Sequence, residues 1–318
     1  GCVQEEIRFM LSPELLCSLL FTAEMQPTEC LIIKGSERFC NYTGYASTFD
    51  FGGPYYENAP VDAQNRLETY VVGIDALYFG SSKRRQYTCE NVKRELNKSF
   101  CGFEKHPLEP HLIPLATGNW GCGVFGGHFM LKFVIQLLSA SQAGRKMKYF
   151  TFREPGLRKK IIGLYRFLKD KGVSVGQLYK AVLTFCRVVQ NKKITKDETP
   201  ESEELQTTCR QFGKKNPPDL AGFLKYFFQL PQHSANSQDQ GSIPATEFGP
   251  SCDAPTVDTT GTGADVQSLP STLPCEEEID PVAHSDSVPA CLTSSNTEKE
   301  TSNGLSNENS GSEADQVQ

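Results

Sequence analysis

Two stretches of this chain hold residue types that can do chemistry. The first is Gln4-Glu5-Glu6, where adjacent carboxylates sit among apolar Val3, Ile7 and Phe9. Those neighbours mark a buried or semi-buried segment, although adjacent carboxylates also occur as a plain solvated face. A glutamate buried beside an anionic ligand holds its proton more tightly, which suits a general acid near neutral pH. Paired carboxyls in retaining glycoside hydrolysis stand about 5–5.5 Å apart across the bond. Consecutive side chains diverge instead, by about 100° on a helix and to opposite faces on a strand. One glutamate can therefore face a scissile bond while its neighbour anchors substrate or loop.

The second stretch, residues 117–128, packs five glycines and the chain's only tryptophan into twelve residues. Asn119, Trp120, Gly121, Cys122, Gly123, Val124 and Phe125 form its centre. Leu112-Ile113-Pro114-Leu115-Ala116 before it reads as a short strand. Leu131, Val134, Ile135 and Leu138 after it follow helical spacing. Strand, glycine-rich loop and helix are the arrangement in which backbone N–H groups converge on a phosphate, helped by the helix dipole. A glycine-rich turn without a ligand has the same composition. The spacing matches neither the dinucleotide fingerprint nor the P-loop, since no Gly-Lys-Ser/Thr follows.

The elements around these stretches alternate. Ser12-Pro13-Glu14 starts a helix with Leu15, Leu16, Leu19 and Leu20 as its buried face. Strands are expected at 30–33, 70–77 and 148–152, with a tyrosine-bearing turn at 41–45 leading into 46–51 and a surface loop at 52–66. Helices are expected at 92–100, from the loop to Gly144, at 157–171 ending on Gly172, and from a Ser174–Gln177 capping box to about Val189. Such alternation predicts an α/β layer fold with a parallel or mixed sheet, and ligands at the carboxyl ends of strands. A further amphipathic helix is expected at 220–230.

Charge divides the chain. Residues 1–230 carry 31 basic and 23 acidic groups, a formal +8, whereas 231–318 carry one basic and 15 acidic, a formal −14. A modestly basic front suits an anionic ligand. The tail is too poor in apolar side chains to offset its ordering entropy and is expected to be disordered. The twelve cysteines show no zinc-like spacing, and no apolar run reaches the ~20 residues a membrane span needs.

Gln4-Glu5-Glu6-Ile7-Arg8-Phe9 resembles the end of the signature of poly(ADP-ribose) glycohydrolases, in which a triple-glycine segment precedes the Gln-Glu-Glu. The likeness continues through residues 42–46, 74–77, 94–98, 117–127 and 149–152, and covers about 1–190 but none of the tail. It implies a macrodomain-like mixed sheet flanked by helices, incomplete at the N-terminus because the chain begins after the triple glycine. It also implies hydrolysis of the ribose–ribose O-glycosidic bond. In that pattern Glu6 resembles the catalytic acid/base, Glu5 the carboxylate holding the riboses, and Gln4 a substrate contact. Tyr45 is similar to the tyrosine that closes over adenine, Asn119 to Val124 to the diphosphate loop, and Phe125 and Phe152 to pocket aromatics. Val124 stands where many relatives have alanine, and His128 where an acid is common.

The resulting expectation is a catalytic region at 1–195, a weakly structured helical extension at 196–230 and a disordered acidic tail at 231–318. No cofactor or metal is implied. Expected partners are poly(ADP-ribose) and ADP-ribosylated proteins, without direct DNA binding. The chain is expected to be a monomer located, like the family, in nucleus and cytoplasm. The alternative is a non-catalytic ADP-ribose-binding module, or an inactive fragment because the upstream glycine loop is missing.

Overall fold

The computed structural model describes residues 3–107, 109, 111–152, 154–191 and 203–230; the tail at 231–318 lies outside them. Helix α1 (Gln4–Leu11) turns Ile7 and Leu11, four residues apart, onto one buried face. Gln4, Glu5 and Glu6 are consequently exposed, contrary to the buried setting expected of the two carboxylates. The next element, Pro13–Leu20, is a 3₁₀ helix. Its three-residue turn buries Leu15 and Ser18. The expected leucine face does not form, and Leu16, Leu19 and Leu20 are exposed.

Strand β1 (Leu31–Lys34) follows, then a hairpin of β2 (Cys40–Thr43) and β3 (Asp50–Pro54), and then β4 (Tyr70–Gly73). β3 takes up the beginning of what composition alone marks as a loop. Helix α1 packs on β2, and the Phe39 N–H bonds the Leu11 carbonyl at 3.0 Å.

The core forms around what comes after. Helix α2 (Cys89–Phe103), capped by the Thr88 side chain, leads through 104–114 to β5 (Leu115–Thr117) and to α3 (Phe129–Gln142). Every residue of α3 from Met130 to Ser141 is buried, as befits a helix covered on all sides. Ser99 and Ser139, 2.6 Å apart between hydroxyls, join α2 to α3. Strand β6 (Met147–Tyr149) precedes α4 (Pro155–Asp170) and α5 (Val175–Val189). Ser174 and Gln177 close the capping box that starts α5.

Two more helices, α6 (Glu203–Lys214) and α7 (Leu220–Phe227), occupy the region expected to be weakly structured. Their packing is not peripheral. Cys209, Phe223 and Phe227 belong to the same buried cluster as Phe133 and Phe185, and the Phe185 and Phe223 rings lie 5.1 Å apart. The Arg84 guanidinium donates to the carbonyls of Val189 (3.1 Å) and Gly213 (2.9 Å), satisfying exposed ends of α5 and α6.

The expected single mixed sheet appears among the described residues as three separate pairs. β1 runs antiparallel to β4, β2 antiparallel to β3, and β5 parallel to β6. β4 itself stops at Gly73, short of the strand expected over 70–77. The Trp120 indole N–H donates to the Ile74 carbonyl at 3.1 Å, and Arg94 donates to the Asp75 carbonyl at 2.9 Å. The Leu77 N–H donates to the Glu95 carboxylate at 3.0 Å. Side chains take the backbone groups that a neighbouring strand would otherwise pair. The mixture of helices and strands agrees with the expected α/β class.

Candidate functional site

Three chain segments converge where strands end. Beyond β4 comes 74–80, beyond β5 the glycine loop at 118–128, and beyond β6 the segment 150–152. The parallel register, Thr117 opposite Tyr149, brings the last two side by side. The Phe150 N–H bonds the Thr117 carbonyl at 2.9 Å, and the Tyr149 hydroxyl bonds the Asn119 side-chain oxygen at 3.1 Å.

The loop is held at both ends by buried amides. Gln136 on α3 accepts from the Thr117 hydroxyl at 2.6 Å and donates to the Gly118 carbonyl at 3.0 Å. Gln86 accepts the His128 N–H at 2.6 Å and donates to the Lys83 carbonyl, also at 2.6 Å. Inside the loop the Gly127 N–H bonds the Gly121 carbonyl at 2.9 Å. Gly121 sits at φ 69, and a Cβ there would fall 2.6 Å from the Ala76 methyl. Only glycine fits that approach.

What remains is a row of donors. Trp120, Cys122, Gly126 and Gly127 spend their N–H groups inside the loop. Among the described residues, the amides of Gly123, Val124 and Phe125 meet no protein acceptor, and Gly123, Val124 and Phe125 are exposed. Helix α3 begins directly afterwards with no acidic residue in its first turn, so its dipole stays available to an anion. Consecutive free amides before a helix are an anion-binding arrangement.

Aromatic side chains flank the row. Phe125 meets Tyr78 edge to face at 5.7 Å, while its carbonyl accepts the Phe79 N–H at 2.9 Å. Phe152 lies against Gly118 at the start of the loop, at a φ of 52 that non-glycine residues seldom adopt. Such strain persists only where the surroundings enforce it, and Phe152 is 62% exposed. A flat ligand face is what an exposed ring in that position can receive.

Behind the loop lies a group of charges in which Lys132, Lys98 and Glu95 are buried and Asp75 is partly exposed. The Lys132 ammonium stands 3.8 Å from the Trp120 ring centre and against the Glu95 carboxylate, both charges almost fully buried. Arg94 bridges Glu95 (2.8 Å) and Asp75, while Lys98 pairs with Asp75 at 2.7 Å and donates to the Glu29 carbonyl at 2.6 Å. Burial and the Arg94 charge lower the Lys132 pKa, with Asp75 opposing. Burial alone would raise the Asp75 carboxyl, but Lys98 and Arg94 hold it below its ordinary value. Burial pushes the Cys122 thiol up to about 12, so it stays protonated and inert as a nucleophile.

The other predicted residues lie on α1 and the hairpin. Tyr45 projects from the β2–β3 turn with a ring 51% exposed, and its carbonyl is fixed by the Thr48 hydroxyl at 2.9 Å. Glu6 is exposed in the first turn of α1, and its carboxylate accepts the Val3 N–H at 3.3 Å. Among the described residues, no hydrogen bond, ion pair or ring contact joins Gln4, Glu5, Glu6 or Tyr45 to the glycine loop. The structure thus brings Asn119, Trp120, Gly121, Cys122, Gly123, Val124, Phe125 and Phe152 together around the loop, and carries Gln4, Glu5 and Glu6 on α1, which packs on β2. Sequence reasoning missed Tyr78, Gln86, Gln136 and Lys132; Tyr78 directly follows the 74–77 motif, and the other three have no local signal. No group of three or more His, Cys, Asp or Glu among the described residues is placed to hold a metal, and no described helix is long and apolar enough to cross a membrane.

Comparison with known proteins accords with this geometry. A family model described as poly(ADP-ribose) glycohydrolase, macro domain fold, matches residues 1–159, which include α1, the hairpin and all three strand ends. The chain is similar to the probable poly(ADP-ribose) glycohydrolase 2 of Arabidopsis thaliana, 34% identical over 221 residues covering 58% of this chain and 42% of that protein. Poly(ADP-ribose) glycohydrolase 1 of Caenorhabditis elegans is 35% identical over 192 residues, covering 57% of this chain and 25% of its own length. The chain spans less than half the length of each of these relatives. A glycine loop with free amides, set between aromatic rings and matched together with the Gln4-Glu5-Glu6 helix, places this chain in the poly(ADP-ribose) glycohydrolase family of macro domain fold.

Proposed function

We propose that this chain hydrolyses ribose–ribose O-glycosidic bonds of poly(ADP-ribose), releasing ADP-ribose. The observation that carries the reading is the row of free amides at Gly123, Val124 and Phe125, flanked by exposed rings at the ends of three strands. In this reading the loop holds a diphosphate, Tyr45 covers the adenine, and Phe125 and Phe152 border the ribose. Glu5 and Gln4 hold the riboses. Glu6 protonates the departing ribose oxygen as the glycosidic bond breaks, and the resulting carboxylate takes a proton from the attacking water. The oxocarbenium-like transition state gains from the nearby carboxylate and from a phosphate held by neutral N–H donors. ADP-ribosylated proteins are the accompanying partners, and nucleus and cytoplasm the accompanying locations.

A second reading is an ADP-ribose-binding module without turnover. It is favoured by the exposure of Glu5 and Glu6 and by their lack of any bond to the loop among the described residues. Release of ADP-ribose from labelled polymer, measured beside a calorimetric titration with ADP-ribose, separates the two. Release supports hydrolysis. Binding without release supports the module, and neither signal overturns both.

A further inference from the structure

We infer that Lys132 is the positioning residue of the glycine loop, a buried cation that holds the free amides toward a diphosphate and backs them with positive charge. The inference rests on the anion-binding part of the functional reading.

The geometry is specific. A Cβ at Gly121 would stand 3.2 Å from the Lys132 ammonium nitrogen, and one at Gly127 would stand 3.1 Å from its Cε. Gly121 and Gly127 are the two residues whose mutual hydrogen bond closes the loop. The same side chain runs across the Trp120 ring. One lysine therefore lies behind three loop residues, and the glycines at 121 and 127 are what give it room. Its own position is fixed from α2, because Glu95 bonds the Leu77 N–H through one oxygen and meets Lys132 with the other. Trp120 in turn donates to Ile74. Loop, segment 74–77 and α2 thus share this ion pair.

The charge count points the same way. Lys132, Arg94 and Lys98 face Glu95 and Asp75, three cations against two carboxylates. Burial and the Arg94 charge bring the Lys132 pKa down to about 7, so the surplus belongs to the protonated lysine, the form an anion beside it favours. The surplus positive charge sits behind amides that carry only partial charge, in a region where screening by water is weak. A lysine on a fully buried helix is costly unless paired, and here it is paired at a place that fixes the loop.

The test is calorimetric titration of the wild-type chain and of Lys132→Met, which keeps the stem and removes the charge. ADP-ribose is compared with adenosine, which has no diphosphate. Lys132→Met is expected to bind ADP-ribose at least tenfold more weakly while its affinity for adenosine stays within twofold. Equal losses for both ligands, or no loss for ADP-ribose, overturn the inference. Should Lys132→Met fail to melt cooperatively, the double variant Glu95→Gln/Lys132→Met removes both charges and carries the same comparison. A wild-type chain that binds no ADP-ribose overturns the functional reading itself, and the inference with it.

Discussion

Phe152 closes over Gly118 so tightly that a Cβ at Gly118 would stand 2.7 Å from its ring and 2.8 Å from the Phe150 carbonyl oxygen. Backbone and ring cannot both yield. Gly118→Ala is expected to displace Phe152, to cost about 1–3 kcal/mol of stability as overpacking does, and to weaken ADP-ribose binding. Urea unfolding and calorimetry check this, and unchanged affinity would mean that Phe152 does not border the ligand.

Glu6 projects from the first turn of α1 and bonds only its own helix start. Glu6→Gln keeps that geometry and removes the titrating group. ADP-ribose release is expected to fall by about 100-fold or more, with ADP-ribose affinity nearly unchanged. A variant that still turns over would remove Glu6 from the role.

His128 titrates far from its ordinary range. Burial lowers its imidazole to about 4, with Asp219 opposing and Lys160 assisting. The unfolded chain takes up this proton near pH 6.5, whereas the folded chain does so only near pH 4. Stability from the neutral ring is therefore complete above pH 6.5 and lost as pH falls toward 4, by about 2–3 kcal/mol. The urea midpoint is expected to fall less between pH 7 and pH 4.5 for His128→Gln than for the wild type. An identical acid loss would show that another group governs it.

Arg145 gathers the chain between α2 and β5. It donates to the carbonyls of Phe103 (2.6 Å), Glu104 (3.0 Å) and Ile113 (2.7 Å) and to both oxygens of Glu109 (2.8 and 2.7 Å). Burial would raise the Glu109 carboxyl, and Arg145 more than reverses it. Arg145→Met leaves a buried carboxylate unpaired and is expected to cost about 3–5 kcal/mol, part of which Glu109→Gln restores. A loss below about 1 kcal/mol in urea unfolding, the scale of an exposed pair, would contradict the pairing.

Local patterns made much of the fold legible. Ser174 and Gln177 mark the start of α5, Gly144 and Gly172 follow the ends of α3 and α4 at positive φ, and the strand–loop–helix around the glycines stands where spacing puts it. Their causes are local, so local sequence displays them. The failures have long-range causes. Whether Leu16, Leu19 and Leu20 face inward depends on a 3₁₀ rather than α period, which composition does not distinguish. The interruption after β4 depends on Trp120, Arg94 and Glu95 reaching its backbone from elsewhere in the chain. The glycines were legible as a loop between strand and helix, but the lysine behind them lies within the buried α3 and has no local signal.

Trp120 gives the protein a built-in optical reporter. It is the chain's only tryptophan, and its ring is sandwiched into the loop's own support, with the indole N–H on Ile74 and an ammonium over its face. Excited at the red edge of the indole band, where the eleven tyrosines do not absorb, the whole molecule emits from this one place. A shift in that emission on adding a nucleotide would be a single-residue signal from the loop, obtained without any label.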